Sequence, residues 1–280
     1  MHTWTRLVAV LSVVTAINAQ NLILTNDDGW AVAQIRAQND ALNAAGFNVV
    51  LSAPAENESG QDLRFNASDT RLNYVNSFPV DAVRFGIQTL APEFFGSAPD
   101  FVVSGPNVGN NLGSGVTGSG TVGAACEAAL EGIPSTAFSG DTASQVSYTT
   151  LDSSPNSQSS LAARLYSTLT VTFVQTLLAS SARPVLPPGV TLNVNYPSTS
   201  GCSAAADYSW VFTRLTPNSS AVDVETCGSD HLPDETSVVD RSGCFASVTV
   251  INATTKTDVD AATQGAVLAR LTGLVTCLPS

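Results

Sequence analysis

Basic side chains are scarce in this chain, and their scarcity narrows its chemistry before any motif is read. Of 280 residues, 11 are Lys or Arg and two are His. His2 lies in the apolar N-terminal stretch, so His231 is the one histidine further along, and Lys256 is the one lysine anywhere. A Walker A loop is excluded, because Lys256 stands in no Gly-x-x-x-x-Gly-Lys setting. Zinc centres built on several histidines are excluded, as are phosphohistidine enzymes with an Arg-His-Gly signature. A Ser-His-Asp triad would rest on His231, which sits in a loop-like Gly228–Pro233 segment and reads as a surface residue. No Gly-x-Ser-x-Gly elbow accompanies it. Acidic residues number 23, giving a net charge of −12, so the basic footprint that a nucleic-acid polymer needs is missing. Long apolar runs are missing too: none reaches the roughly 20 residues that cross a bilayer. No internal repeat is visible.

What is present begins with a secretion pattern. Arg6 precedes the apolar run Leu7–Val14, and Ala19 before Gln20 offers a cleavage point, so residues 1–19 read as a signal peptide of a secreted, extracellular protein. Cys202, Cys227, Cys244 and Cys277 cluster in the C-terminal third, and an oxidising compartment favours two disulfides among them. Spacing alone does not fix the pairing; Cys202–Cys227 with Cys244–Cys277 is the expected arrangement. Cys126, in a run of small residues, reads as a buried free thiol. Sequons stand at Asn66, Asn218 and Asn252, and a further one at Asn57 overlaps a candidate site residue, which makes it a poor acceptor.

Hydrophobic patterning gives a strand at Asn21–Thr25, a helix at Ala31–Ala45 ended by Gly46, and a strand at Phe47–Leu51 stopped by Pro54. This β-α-β unit implies a parallel sheet with helices on its faces. Further strands are expected at Asp100–Ser104, Thr136–Ser139 and Leu192–Asn195. Helices are expected at Thr121–Glu131, Leu161–Ala179 and Asp258–Thr276. Asp141–Ser160 reads as an exposed polar loop entering a helix. The expected fold class is α/β: three layers, a mostly parallel sheet with helices on both faces and a Rossmann-like core, plus a strand-rich C-terminal region. Residues 20–200 form the core, and 201–280 complete the same domain.

Four segments carry chemistry. Asn26-Asp27-Asp28-Gly29 follows the buried run Leu22-Ile23-Leu24. It is an acceptable turn, but two adjacent carboxylates at a strand's carboxyl end, where α/β folds place ligands, repel each other unless a cation relieves them. Ser104-Gly105-Pro106-Asn107-Val108-Gly109 opens from another strand on the same edge, and Asn107 offers a neutral oxygen suited to a hard cation. Ser119-Gly120-Thr121 starts a helix, which makes it either an ordinary cap or an anion site. Asn57-Glu58-Ser59-Gly60 follows the second strand, and the Ser59 hydroxyl could reach the same cation. Carboxylates, amide, hydroxyl and anion-binding backbone on one edge favour metal-assisted phosphoryl hydrolysis.

These motifs, in this order, resemble the SurE-like survival-protein phosphatases and nucleotidases. The likeness covers roughly Leu22 to Pro197 and includes Val122, Ala124-Ala125, Glu127 and Leu192-Asn193-Val194-Asn195-Tyr196-Pro197. It implies a divalent-metal-dependent phosphomonoesterase acting on nucleoside monophosphates or other small phosphoesters. By the family pattern Asp27, Asp28, Ser59 and Asn107 ligate one Mg²⁺ or Mn²⁺, and Asn26 and Ser119-Gly120-Thr121 face the phosphate. Asp28 and Asn26 then form the catalytic pair, and Ser104, Gly105, Ser119, Gly120 and Thr121 the substrate-binding set. A homodimer or homotetramer is also implied. The chain departs from the family pattern at Trp30-Ala31, where a Pro-Gly-containing helix start is usual, and at Glu58, where a basic residue is usual.

Other readings use parts of the same motifs. A receiver domain needs a phosphoacceptor aspartate and a well-placed lysine, and Lys256 comes too late. Haloacid-dehalogenase phosphatases need Asp-x-Asp, whereas these aspartates are adjacent. A secreted metal- or phosphate-binding glycoprotein that kept the fold and lost activity is the remaining alternative.

Overall fold

Asn-Leu-Ile-Leu-Thr forms strand β1 (Asn21–Thr25), and its alternating side chains set the layers of the molecule. In the computed structural model, which describes residues 19–55 and 63–279, Leu22 and Leu24 enter one core with Ile35, Leu42, Phe138 and Phe173. Ile23, between them, enters a second core on the opposite face with Val50, Val83 and Ala124. A strand buried on both sides is apolar throughout, as parallel sheets require.

Helix α1 (Ala33–Ala44) follows, then β2 (Asn48–Pro54), β3 (Leu63–Asn66), β4 (Asp69–Val75), α2 (Pro79–Phe85) and α3 (Ala91–Phe95). Next come β5 (Phe101–Val108), α4 (Gly120–Leu130), β6 (Ser135–Gly140), α5 (Thr150–Ser153), α6 (Gln158–Ala179) and β7 (Val190–Tyr196). β8 (Ser209–Thr213), α7 (Glu235–Val239), β9 (Phe245–Asn252) and α8 (Ala261–Leu268) complete the described elements. The sheet has nine strands among the described residues, in the order β3-β4-β2-β1-β5-β6-β7-β9-β8. Pairing is parallel from β4 through β7. β3 runs antiparallel on one edge, and β9 turns against β7 on the other side and carries β8 parallel to itself. The mostly parallel α/β sheet with helices on both faces matches the expectation. The strands of 201–280 join that same sheet.

Several boundaries differ from the pattern reading, each for a local reason. α1 starts at Ala33 rather than Ala31, because Val32 is extended and bridges Ser147. Gly46 follows its end at φ +90°, the left-handed turn that stops helices. β5 runs on to Val108 instead of ending at Ser104: a one-residue bulge at Gly105-Pro106 lets Asn107 pair with Ser139. The helix expected over Asp258–Thr276 is confined to Ala261–Leu268, since Asp258 bridges Ile251 and Val275 bridges Trp210. The disulfides are Cys202–Cys244 and Cys227–Cys277, not the expected pairs. Cys244 immediately precedes β9, beside the chain leaving β7, whereas Cys227 lies near the C-terminal segment that pairs with β8. Cys126 is a buried free thiol, which burial pushes up to about 11. Among the described residues no helix is long and apolar enough to cross a membrane.

Candidate active site

The turn after β1 is built by Asn26. It is fully buried; its Nδ2 donates to the Gly29 carbonyl at 3.1 Å, and its Oδ1 accepts the Gly29 N–H at 3.2 Å. Gly29 takes φ +109°, which a side chain would resist. Both polar atoms of the Asn26 amide therefore hold the turn. Asn26, expected to face a phosphate, lies buried in this turn, where its amide positions the two aspartates that follow.

The two aspartates at the apex of that turn meet different elements. Asp27 meets the first turn of α4: its Oδ2 accepts the Thr121 N–H at 3.1 Å, and its Oδ1 accepts the Thr121 hydroxyl at 2.6 Å. A carboxylate is favoured there by the free N–H groups and the positive end of the helix dipole. Gly120 makes the approach possible, because a Cβ on it would lie 2.8 Å from the Asp27 Cβ and 2.9 Å from Pro79. Asp28 meets β5 instead. Its Oδ2 accepts the Val108 N–H at 2.9 Å, which the bulge aims at it, and its Oδ1 accepts Nε2 of Gln145 at 2.6 Å. Burial pushes the Asp28 carboxyl up to about 6; the Gln145 and Val108 hydrogen bonds oppose the rise and the charge of Asp27 adds to it.

Asn107 completes the group. Its Nδ2 donates to the Gly109 carbonyl at 2.7 Å and to the Val108 carbonyl at 3.3 Å, so its amide oxygen is the end left to accept. Two carboxylates and an amide oxygen are an all-oxygen donor set, which fits a hard cation such as Mg²⁺ or Mn²⁺ and does not suit a thiophilic metal. Among the described residues no group of three or more His, Cys, Asp and Glu gathers to hold a metal, so any ion here depends on this smaller set. Ser59, expected as a further ligand, and its neighbour Glu58 lie outside the described residues.

The expected substrate-binding set divides. Ser104 is fully buried and donates its hydroxyl to the Thr121 carbonyl at 2.8 Å, so it anchors α4 to β5. Gly105, at φ +110°, has no room for a side chain: a Cβ would fall 2.2 Å from the Phe138 carbonyl oxygen. Both, expected to touch substrate, lie in β5 against the first turn of α4 and against β6. The N–H and hydroxyl of Thr121 are taken by Asp27, so the anion that Thr121 meets is a side chain of this protein. Ser119 caps α4 by accepting the Val122 N–H at 3.1 Å, and among the described residues no acceptor takes its hydroxyl proton or the Gly120 N–H.

The sequence reading missed two contributors. Gln145, in the stretch taken for an exposed loop, supplies the side-chain donor to Asp28. Glu235 is fully buried beneath the glycine-rich loop, where it accepts the Gly113 N–H at 2.7 Å, the Thr249 hydroxyl at 2.7 Å and Nδ2 of Asn193 at 3.0 Å. Neither carries a local signal, since each acts on a partner more than a hundred residues away. His231, in contrast, is exposed and contacts Asp230, as its loop-like setting suggested.

Comparison with known proteins gives the same picture. The family model described as survival protein SurE matches residues 22–221. An acid phosphatase of Yarrowia lipolytica is 33% identical over 298 residues, covering 86% of this chain and 80% of that protein. A 5'-nucleotidase SurE of Halobacterium salinarum is 44% identical over 124 residues, which span 42% of this chain and 46% of that protein. The solved SurE protein from Aquifex aeolicus superposes with a TM-score of 0.61 at 25% identity, covering 83% of this chain and 93% of that one. Fold, motif order and family match converge, and the chain belongs to the SurE survival-protein family.

Proposed function

We propose that this protein is a secreted, divalent-metal-dependent phosphomonoesterase acting on nucleoside monophosphates or other small phosphate monoesters. The observation that carries the reading is the pair of adjacent carboxylates, Asp27 held at the start of α4 and Asp28 held at the end of β5 by Val108, the residue next to Asn107. The names of the relatives, acid phosphatase and 5'-nucleotidase, support the reaction class. The two disulfides support an oxidising compartment, and exposed Asn218 supports glycosylation.

Asp27, Asp28 and the Asn107 oxygen would hold one Mg²⁺ or Mn²⁺, with Ser59 assigned by family likeness. When bound, such an ion supplies Lewis acidity and lowers the pKa of a water at neutral pH. The residues of the chain do the rest. Asp28 orients the attacking water and takes its proton as oxygen bonds to phosphorus. The bond to the ester oxygen breaks, and the proton taken up by Asp28 passes on to the departing alkoxide. The Gly120 N–H and the Ser119 hydroxyl donate to the phosphoryl oxygens, where charge develops. Among the described residues no base hydrogen-bonds to Ser119 to activate it as a nucleophile, and direct attack by water is the assigned course.

Hydrolysis of p-nitrophenyl phosphate and of AMP, with Mg²⁺, Mn²⁺ or EDTA, tests the reading. Asp27→Asn and Asp28→Asn are each expected to lose more than the roughly 10–100-fold that goes with a partner touching only a ligand. EDTA should abolish turnover. Full activity in both variants would remove the assignment, and metal binding without turnover in the wild type would favour the non-catalytic alternative.

A further inference from the structure

The chain between β6 and α5 behaves as a strap fixed at both ends. At its start the Asp141 N–H donates to the Tyr196 carbonyl at 3.2 Å, and the Thr142 N–H donates to the Tyr166 hydroxyl at 3.0 Å. The Thr142 hydroxyl also meets Ser198 at 3.1 Å and accepts the Thr199 N–H at 3.0 Å. At its far end Ser147 bridges Val32, the Ala33 N–H donates to the Val146 carbonyl at 2.9 Å, and the Tyr148 N–H donates to the Ala31 carbonyl at 2.9 Å. The Arg36 guanidinium lies 4.2 Å from the Tyr148 ring centre and 5.7 Å from that of Trp30, and Trp30 stacks on Tyr74 at 4.9 Å. The strap is thus pinned to the residues that directly follow the aspartate turn, and Gln145 stands between its anchors.

We propose that Gln145 is a positioning residue of the metal-holding carboxylate, and that the strap is a built part of the active site. This rests on the reading of Asp27 and Asp28 as metal ligands. Asp27 is oriented twice over by Thr121, through its N–H and its hydroxyl, whereas Gln145 is the only side chain among the described residues that donates to Asp28. With Val108 holding one oxygen and Gln145 the other, the Asp28 carboxylate is fixed in one plane. Each oxygen keeps a lone pair free for an ion. Without Gln145 that carboxylate rotates about its χ2 torsion, and binding an ion must then order it, a cost that partners touching a ligand ordinarily remove in advance.

The test uses the full secreted chain. Gln145→Met keeps the length and removes the donor; Gln145→Asn keeps the amide and shortens its reach. Isothermal titration with Mg²⁺ and with Mn²⁺ should show Kd weakened about 10-fold in both variants. Thermal unfolding in EDTA should stay at the wild-type temperature, because the Gln145 side chain is exposed. With p-nitrophenyl phosphate at saturating metal, kcat should fall while KM holds, a split that a purely structural loop residue would not give. Wild-type affinity and kcat in both variants would overturn the inference alone. A wild-type protein that binds neither ion would overturn the metal reading and the inference together.

Discussion

At Gly120 the absence of one carbon atom decides the geometry of the site. Its α-carbon lies so close to Asp27 and Pro79 that a methyl group would meet the Asp27 Cβ at 2.8 Å and the Pro79 ring Cγ at 2.9 Å, inside any real contact distance. The ring of Pro79, at the start of α2, cannot swing aside, so the strain must pass to Asp27. Gly120→Ala is therefore expected to cost about 1–3 kcal/mol of stability from overpacking. It should also weaken metal-dependent turnover more than that loss explains, as measured by thermal unfolding beside kinetics well below the midpoint. A variant with lowered stability and unchanged turnover would show that the fit of Asp27 against the helix is immaterial. The same residue illustrates what sequence can disclose. Ser119-Gly120-Thr121 was legible as a helix start, but its ligand was not, because Asp27 approaches from 94 residues away.

Among the elements, the glycine-rich loop between β5 and α4 depends on a buried polar network rather than on apolar packing. Asn193 and Asn195 of β7 both donate to the Asn111 carbonyl, at 2.8 and 3.1 Å, and Asn195 accepts the Asn111 N–H at 2.8 Å. Glu235 ties in Gly113 at 2.7 Å from below. Burial pushes that carboxyl up to about 8, outweighing the donors from Thr249, Gly113 and Asn193, and the charge of Asp258 adds to the rise. A carboxyl raised from its ordinary value of 4.5 keeps its proton in the folded state, whereas the unfolded chain gives it up once the pH exceeds that value. Its contribution to stability is thus fully present below about 4.5 and is lost as the pH climbs to about 8. Urea unfolding of the wild type should give a falling midpoint across that window, and Glu235→Gln should flatten the slope. Identical slopes would mean that Glu235 does not titrate there. Much of the element order could be read from pattern: β1, α1, β2, α4, β6, α6 and β7 all carried period and punctuation. The 63–95 stretch did not, since short strands and two brief helices joined by a π-helical turn leave no sustained period. The bulge at Gly105-Pro106 was hidden because glycine and proline signal a strand's end as readily as its distortion.

For the whole molecule, the two disulfides tie the segments that flank β8 and β9 to one another and to the C-terminal stretch. Each closes a sequence separation of 42 or 50 residues, and chain entropy puts the value of such a closure at about 4 kcal/mol. Cys227→Ser with Cys277→Ser is expected to lower stability by about 2–5 kcal/mol. Turnover in the cold should survive, because that bridge lies apart from Asp27 and Asp28. Calorimetry and a rate measurement well below the midpoint check both halves, and lost activity at unchanged stability would place the bridge in the catalytic machinery instead. The pairing could not be foreseen: Cys244 finds Cys202 only because β9 reverses direction and brings its entry back to where β7 ends.

That reversal also separates two jobs at one rim of the sheet. Apart from β3, which enters here, the strands up to β7 send the chain out at this rim, and the turns they feed carry the aspartates and the strap, with Asn107 near the end of β5. Beyond β7, the chain arrives at the rim in order to enter β8 and β9. Under the proposed assignment the groups that handle phosphorus sit on the outgoing side, and the incoming stretches can vary in length without supplying or removing one of them.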